Sequence, residues 1–434
     1  MKRMLFVSAV AAALSAACSN GPGTVDKPQW FTNETYFEEK NGMYEEMPVF
    51  RNNIVMVGDD YIDRGIWNEF FGDTTFKNRG ITYDATEHVL YRIDGIAAQK
   101  PAKIFVSVGR NDVLHGTPAE TVVGNIEAIF SRIHKLSPDT ECYWLNIVGG
   151  TALYAGQAAA ADSINAEMKN REAKGGFSVV DLAAVLDAKI ADGTYSWDGG
   201  KLLNGAGYEA LAQAIEAEAG KPHLNRADDR NDPLEVSDYY RHRVSLFRSL
   251  PETENKIVML GNSLNNNALW TELFPFGNLV NRGISGDVID GMTQRLDEIV
   301  ADAPVKIFLQ TGANDLVNDP DLSVVEAWNR YERLLRAITE QLPDTKLYVQ
   351  SILPVNPKSP YYAGFNERAA EINKLLDAAQ ERYGYVYLDI ASLLSDENGD
   401  LGAQYTTDGL HLSATGYFIW AAELAKGTRM MIHF

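Results

Sequence analysis

The chain repeats itself at a spacing of 203 residues. Ile257-Val258-Met259-Leu260-Gly261-Asn262-Ser263-Leu264 restates Ile54-Val55-Met56-Val57-Gly58-Asp59-Asp60-Tyr61. The same offset relates Trp67 to Trp270, Gly80 to Gly283, Arg92 to Arg295, Pro101 to Pro304 and Asn111 to Asn314. It drifts to 205 between Pro138 and Pro343 and to 209 between Tyr208 and Tyr417, as small insertions in surface loops allow. Such a period is too long for a solenoid unit and suits a duplicated domain. The 434 residues therefore divide into two domains of one architecture. A hydrophobic fraction of 45% and a charged fraction of 23% give each an ample core.

Residues 1–18 read as a targeting segment. Lys2 and Arg3 form a basic start, Leu5 to Ala13 an apolar run too short to span a bilayer, and Leu14-Ser15-Ala16-Ala17 leads into Cys18. This resembles a bacterial lipoprotein signal, with Ser15 where leucine is more usual, and implies a lipidated Cys18 anchored in the cell envelope. An ordinary secretory signal is the alternative. Residues 19–33, rich in Gly, Pro, Asn and Thr, form a tether. The first domain is expected over 34–218, a linker over 219–237 and the second domain over 238–434. The formal net charge of −20 excludes a nucleic-acid partner, whose phosphates require a basic surface. Cys142 is then the one other cysteine, inside an apolar run, and reads as a core residue rather than part of a disulfide or metal framework.

Each copy alternates apolar runs with helical patterns. In the second copy, strands are expected at Lys256–Leu260, Asn278–Asn281, Val305–Gln310, Lys346–Ile352 and Tyr385–Leu388. Helices are expected at Val288–Val300, Val324–Gln341 and Glu371–Arg382, with Gly384 as a left-handed stop. A helix opens each domain, at Tyr36–Glu46 and Tyr239–Leu250. Apolar strands separated by helices imply an α/β fold with a parallel sheet covered on both faces. Functional residues then gather at the carboxyl ends of the strands.

Four segments of the second copy sit at such ends. Ser263 follows the first strand, Gly283 the second and Asn314 the third, while Asp408 and His411 stand three apart near the C-terminus. A serine hydroxyl needs a base to take its proton. Histidine can accept that proton and pass it on, and a neighbouring acid fixes its tautomer. The tetrahedral intermediate needs donors at its oxyanion, which a close backbone N–H at glycine and an asparagine amide can supply.

These blocks, in this order, resemble the SGNH, or GDSL-type, hydrolase family from about Tyr239 to the C-terminus. Asn262 stands where aspartate is more usual. The resemblance implies a flavodoxin-like three-layer α/β/α sandwich in each copy. It implies Ser263 as nucleophile, His411 as base and acid, Asp408 as its orienting partner, and Gly283, Asn314 and the Ser263 N–H as the oxyanion hole. It calls for no cofactor and no metal. The other serine-hydrolase signature, Gly-x-Ser-x-Gly, is missing because Asn265 stands at its second glycine.

The first copy departs at two positions. Asp60 replaces the serine, and the histidine equivalent is Leu202 or Lys201, depending on the anchor used. Gly80, Asn111 and Asp198 are retained. A silenced structural domain is expected, with a glycan-binding module or a metal site around Asp60 and Asp198 as alternatives. Candidate substrate contacts are Trp270, Tyr361 and Tyr362. No long apolar lid appears, which favours short acyl groups. The likeness within the family is to platelet-activating-factor acetylhydrolase-like and glycan O-acetylesterase members, and implies deacetylation of carbohydrate esters. A short-chain lysophospholipase or thioesterase, or a non-catalytic glycan-binding protein, are the alternatives.

Overall fold

A computed structural model describes Pro28 and residues 34–149, 155–224, 237–275, 278–357 and 362–428. The targeting segment with Cys18, most of the tether, residues 225–236 of the linker, and Tyr361 lie outside them. No helix among the described residues is long and apolar enough to cross a membrane.

Two five-stranded parallel sheets form the core of the molecule. In the first domain, β1 (Ile54–Gly58), β2 (Phe76–Gly80), β3 (Lys103–Ser107), β4 (Glu141–Leu145) and β5 (Ser178–Val180) lie in the order β2-β1-β3-β4-β5. In the second, β6 (Ile257–Gly261), β7 (Leu279–Gly283), β8 (Lys306–Gln310), β9 (Lys346–Gln350) and β10 (Val386–Leu388) lie in the order β7-β6-β8-β9-β10. Both orders are the doubly wound 2-1-3-4-5 arrangement. Register repeats as well: Gly58 pairs with Gly80 and Gly261 with Gly283. Central strands are buried along nearly their whole length, because helices cover both faces. Cys142 is buried on β4, and burial pushes its thiol up to about 12.

Element ends follow local chemistry. The helix Val324–Gln341 is capped by Ser323 Oγ accepting from Glu326 N–H. Gly384, at φ 71°, ends the helix Gln380–Tyr383 in the left-handed conformation. The helix expected over Val288–Val300 is instead two, Ile289–Gln294 and Leu296–Ala301. The break falls at Arg295, which is fully buried and held by Asp287 and Glu298.

The opening helices are not confined to their own domains. Glu34–Glu46, from the first copy, packs on Ala414–Thr428 of the second domain and sends Met43 into a core cluster with Leu264, Trp270 and Trp420. It also stays bonded to its own domain, where Tyr44 Oη donates to the Gly80 carbonyl. Asp238–Ser249, from the second copy, packs on Gly205–Ala219 of the first domain. Its Tyr240 Oη donates to the Gly291 carbonyl of its own domain. The two helices thus lie between the domains as related straps.

The interface has the pseudo-symmetry of a dimer joined into one chain. Arg79 binds Glu272 through two bonds of 2.7 and 3.0 Å, and Arg282 binds Glu69 through two of 3.0 and 2.9 Å. Each pair is the other shifted by 203 residues. Arg79 also lies over the ring of Tyr44 and Arg282 over that of Phe247, again 203 apart. Such self-complementary exchange is what an isologous interface requires.

Candidate active site

Strand β6 ends at Gly261, where a Cβ would stand 2.6 Å from the Gln310 carbonyl oxygen. Only glycine lets the chain turn there against β8. Asn262 then caps the short helix Ser263–Asn267 by accepting from the Leu264 N–H. This sets Ser263 on the first residue of a helix at the carboxyl edge of the sheet, where its side chain lines a cleft of about 300 Å³.

The segment Thr406–Leu412 brings the other two groups to it. Asp408 Oδ1 accepts from the N–H groups of Leu410 and His411, which closes a tight loop around the carboxylate. Asp408 Oδ2 lies 2.6 Å from His411 Nδ1, and His411 Nε2 lies 3.0 Å from Ser263 Oγ. Burial pushes the Asp408 carboxyl up, but the hydrogen bond and charge of His411 and the two N–H groups outweigh it, holding it at about 2. Burial likewise lowers His411, and the Asp408 bond and charge, with the charge of Glu39, raise it above the usual imidazole value. The imidazole therefore has a fixed tautomer, with Nδ1–H on the carboxylate and Nε2 free to take the hydroxyl proton.

The first copy shows where an anion sits in this scaffold. Asp60, at the serine position, accepts through Oδ2 from Asn111 Nδ2 at 3.1 Å and from the Tyr83 N–H at 3.2 Å. Asn111 gives its other amide hydrogen to the Asp84 carbonyl. In the second copy Asn314 Nδ2 makes the matching bond to the Asp287 carbonyl, at 2.8 Å, which leaves one hydrogen for the cleft. The residue matching Tyr83 is Gly286, which lines the cleft beside Ser263. Gly286 has φ 82° and Tyr83 has φ 71°, so both copies keep one left-handed turn at the position whose N–H, in Tyr83, bonds Asp60.

This corrects the oxyanion donor expected at Gly283. Its N–H is already given to Asn281 Oδ1 at 2.9 Å, as that of Gly80 is to Asn78 at 2.8 Å. Gly283 is glycine for packing, since a Cβ would meet the Asn266 backbone nitrogen at 2.3 Å. The residue at the Tyr83 position, which sequence reasoning missed, is Gly286, on the wall of the cleft. The signal was present in the Gly283-Ile284-Ser285-Gly286 run, but only the turn geometry separates the two glycines.

Trp270 is also corrected. It is fully buried in the second core, edge-on to Trp420 and Tyr417, with Nε1 donating to Asn265 Oδ1. It cannot touch a ligand in the cleft. Tyr362 is half-buried near Gly409, against the outer side of the Asp408 loop.

The cleft has walls from both domains. Arg64 and Asn267, Thr82 and Ser285, and Tyr83 and Gly286 all line it, and each pair is 203 apart. It therefore lies across the pseudo-dyad. In the first domain, the Leu202 N–H donates to Asp198 Oδ1, as the His411 N–H does to Asp408 Oδ1, but the Leu202 position carries no imidazole. A different histidine, His242 of the second opening helix, lies 4.0 Å from Asp198. Among the described residues, the one group of three potential metal ligands is Glu39, Asp408 and His411. Both His411 ring nitrogens are engaged there, by Asp408 and Ser263, so the group does not present a free nitrogen for an ion. Asp60 and Asp198 are not joined by a third ligand among the described residues.

Fold and site together define a class: α/β acyl hydrolases with a serine, histidine and aspartate in hydrogen-bonded series at the sheet edge. The model of the GDSL-like lipase/acylhydrolase family matches residues 58–210 and 261–419, and the chain belongs to that family, in tandem. It is similar to the platelet-activating factor acetylhydrolase IB subunit alpha1 of Rattus norvegicus, with 33% identity over 101 residues. That match covers 22% of this chain and 43% of the relative, so it spans less than half of the relative's length. A GDSL-like lipase from Bacteroides thetaiotaomicron is 20% identical, covering 43% of this chain and 96% of that one at a TM-score of 0.38. A mutant acetyl-xylooligosaccharide esterase from Geobacillus Stearmophilus is 16% identical, covering 40% and 94% at a TM-score of 0.33.

Proposed function

We propose that the protein is a serine esterase that removes short acyl groups, acetyl above all, from carbohydrate esters. The observation that carries this is the continuous series from Asp408 through His411 to Ser263 Oγ, at 2.6 and 3.0 Å. As Ser263 Oγ bonds the acyl carbon, its proton passes to His411 Nε2. The carbonyl oxygen becomes an anion facing Asn314 Nδ2 and the Gly286 N–H. Collapse of the intermediate expels the sugar oxygen, which takes the proton from His411 and leaves an acyl-serine. Water, deprotonated by the same imidazole, releases the acid and restores the hydroxyl.

The Thr82, Ser285, Asn267 and Arg64 side chains on the walls of the cleft suit a hydroxylated leaving group. The first domain serves as a non-catalytic wall, because Asp60 occupies the place of both nucleophile and oxyanion. The resemblance of the segment ending at Cys18 to a lipoprotein signal supports a cell-envelope location for this activity, where acetylated glycans are met.

The test is hydrolysis of p-nitrophenyl acetate by the purified protein, followed by acetate release from acetylated xylan, pectin and sialic acid. Ser263→Ala should abolish both. Equal inertness of wild type and variant would remove the enzyme reading. Preference for a lysophospholipid or thioester over every glycan would move the substrate class instead.

A further inference from the structure

One residue beside His411 comes from the other domain. Glu39, on the helix Glu34–Glu46, is buried and accepts through Oε1 from Thr407 Oγ1 at 2.7 Å. Its carboxylate oxygen and the facing atoms of Asp408 and His411 lie within 4.8 Å of one another. A carboxylate buried next to a second carboxylate is costly unless a cation faces both. Lys40, the next residue, does not serve, because its Nζ pairs with Asp63 at 3.2 Å. The remaining titratable neighbours on the packed elements are Tyr417, Asp408 and His411. The cation that suits this place is therefore the His411 imidazolium, the form the ring takes when it accepts the serine proton.

We infer that Glu39 is a positioning residue for the reaction: the silenced domain supplies a second carboxylate that stabilises the His411 imidazolium, so the catalytic centre is complete only across the domain boundary. This rests on the esterase reading above. Proton accounting is unchanged. The proton still moves from Ser263 Oγ to Nε2 and on to the leaving oxygen, and Glu39 keeps none of it. Two further observations agree. Burial pushes the Glu39 carboxyl up to about 7, with the His411 charge pulling it down and Asp408 pushing it up, so its charge is coupled to that of the imidazole. The position 203 residues later is His242, which faces Asp198 in the copy that has lost its own imidazole. Each strap thus sets a titratable group against the retained carboxylate of the opposite domain, with Glu where a histidine is present and His where it is absent.

The experiment uses the full chain with Glu39→Gln, whose amide oxygen can still accept from Thr407. For p-nitrophenyl acetate, kcat should fall about tenfold, with KM within about twofold. The acid limb of kcat/KM should move to lower pH, because removing an anion lowers the imidazole pKa. Glu39→Asp should recover part of kcat. The His411 titration, read by NMR of the ring carbon in a Ser263→Ala background, should fall in the same direction. A folded Glu39→Gln variant with unchanged kcat and an unmoved His411 midpoint would overturn the inference. If Glu39→Gln fails to fold, Thr407→Val, which frees the carboxylate, should move the same midpoint, and an unmoved one is equally decisive. A wild type inert on every ester, with the midpoint still moving, would remove the esterase reading alone.

Discussion

Arg79 and Glu272 belong to different domains, and their paired bonds of 2.7 and 3.0 Å close the seam between them. The Arg79 side chain is fully buried, and Glu272 nearly so. Removing one partner leaves an uncompensated buried charge, which costs about 3–5 kcal/mol. Glu272→Ala should therefore lower stability by that order in chemical denaturation. Glu69→Ala should do the same through Arg282. The double variant should unfold in two transitions where the wild type shows one, since both seams are then broken.

Trp270 gives a prediction that separates packing from binding. Its ring lies 4.9 Å from that of Trp420, edge-on, within the second core. Trp270→Phe should cost roughly 1–3 kcal/mol in a thermal or denaturant melt, as a lost aromatic contact and a partial cavity do. The KM for p-nitrophenyl acetate should stay within about twofold. A large rise in KM with stability intact would return Trp270 to the cleft.

Much of this was legible in the sequence because duplication doubles the signal. The strands appeared as apolar runs, and the Ser263, Asn314, Asp408 and His411 segments each followed one or closed the chain. Gly384 stopped its helix as its conformational freedom allows. The rest depends on distance in space. Gly283 and Gly286 look alike in sequence, and only the bond from Gly283 N–H to Asn281 distinguishes them. Trp270 is polar-edged and near the nucleophile in sequence, yet the helix it starts points its ring inward. Glu39 and His242 were invisible, because no local pattern reports that a strap crosses to the partner domain.

Asn314 tests the oxyanion site. Asn314→Ala removes one of the two donors that Asp60 identifies by analogy, and kcat should fall by about 10²–10³ with little change in KM. Gly286→Ala keeps the N–H. It adds a Cβ at φ 82°, a conformation the first copy already tolerates at Tyr83. Its loss in kcat should be smaller than that of Asn314→Ala. Steady-state kinetics on p-nitrophenyl acetate decide between them, and a Gly283→Ala variant should fail by misfolding instead.

The Asp408–His411 pair predicts a stability window in pH. Asp408 is held at about 2, below its usual 3.8, so its contribution is present above the usual value and is lost as pH falls through about 2. His411 is raised above its usual 6.5, so its contribution is full below that value and fades as pH rises through the raised one. Both are present between pH 3.8 and 6.5. The melting-temperature difference between wild type and Asp408→Asn should be greatest there and shrink on both sides. A difference that is flat with pH would show that the pair does not couple to folding.

Asp60 carries the last prediction. In the first domain it fills the anion place, bonded to Asn111 and to the Tyr83 N–H. Restoring the nucleophile alone should not restore chemistry, because Leu202 stands where the base would be. In a Ser263→Ala background, Asp60→Ser should therefore remain inert toward p-nitrophenyl acetate. In the wild-type background, Asp60→Ala should keep esterase activity but lose about 1–3 kcal/mol of stability, since the buried Asn111 amide and the Tyr83 N–H lose their acceptor. A p-nitrophenolate burst from the Asp60→Ser, Ser263→Ala double variant would mean that His242, from the strap, can act as base, and that the first domain was silenced by a single residue.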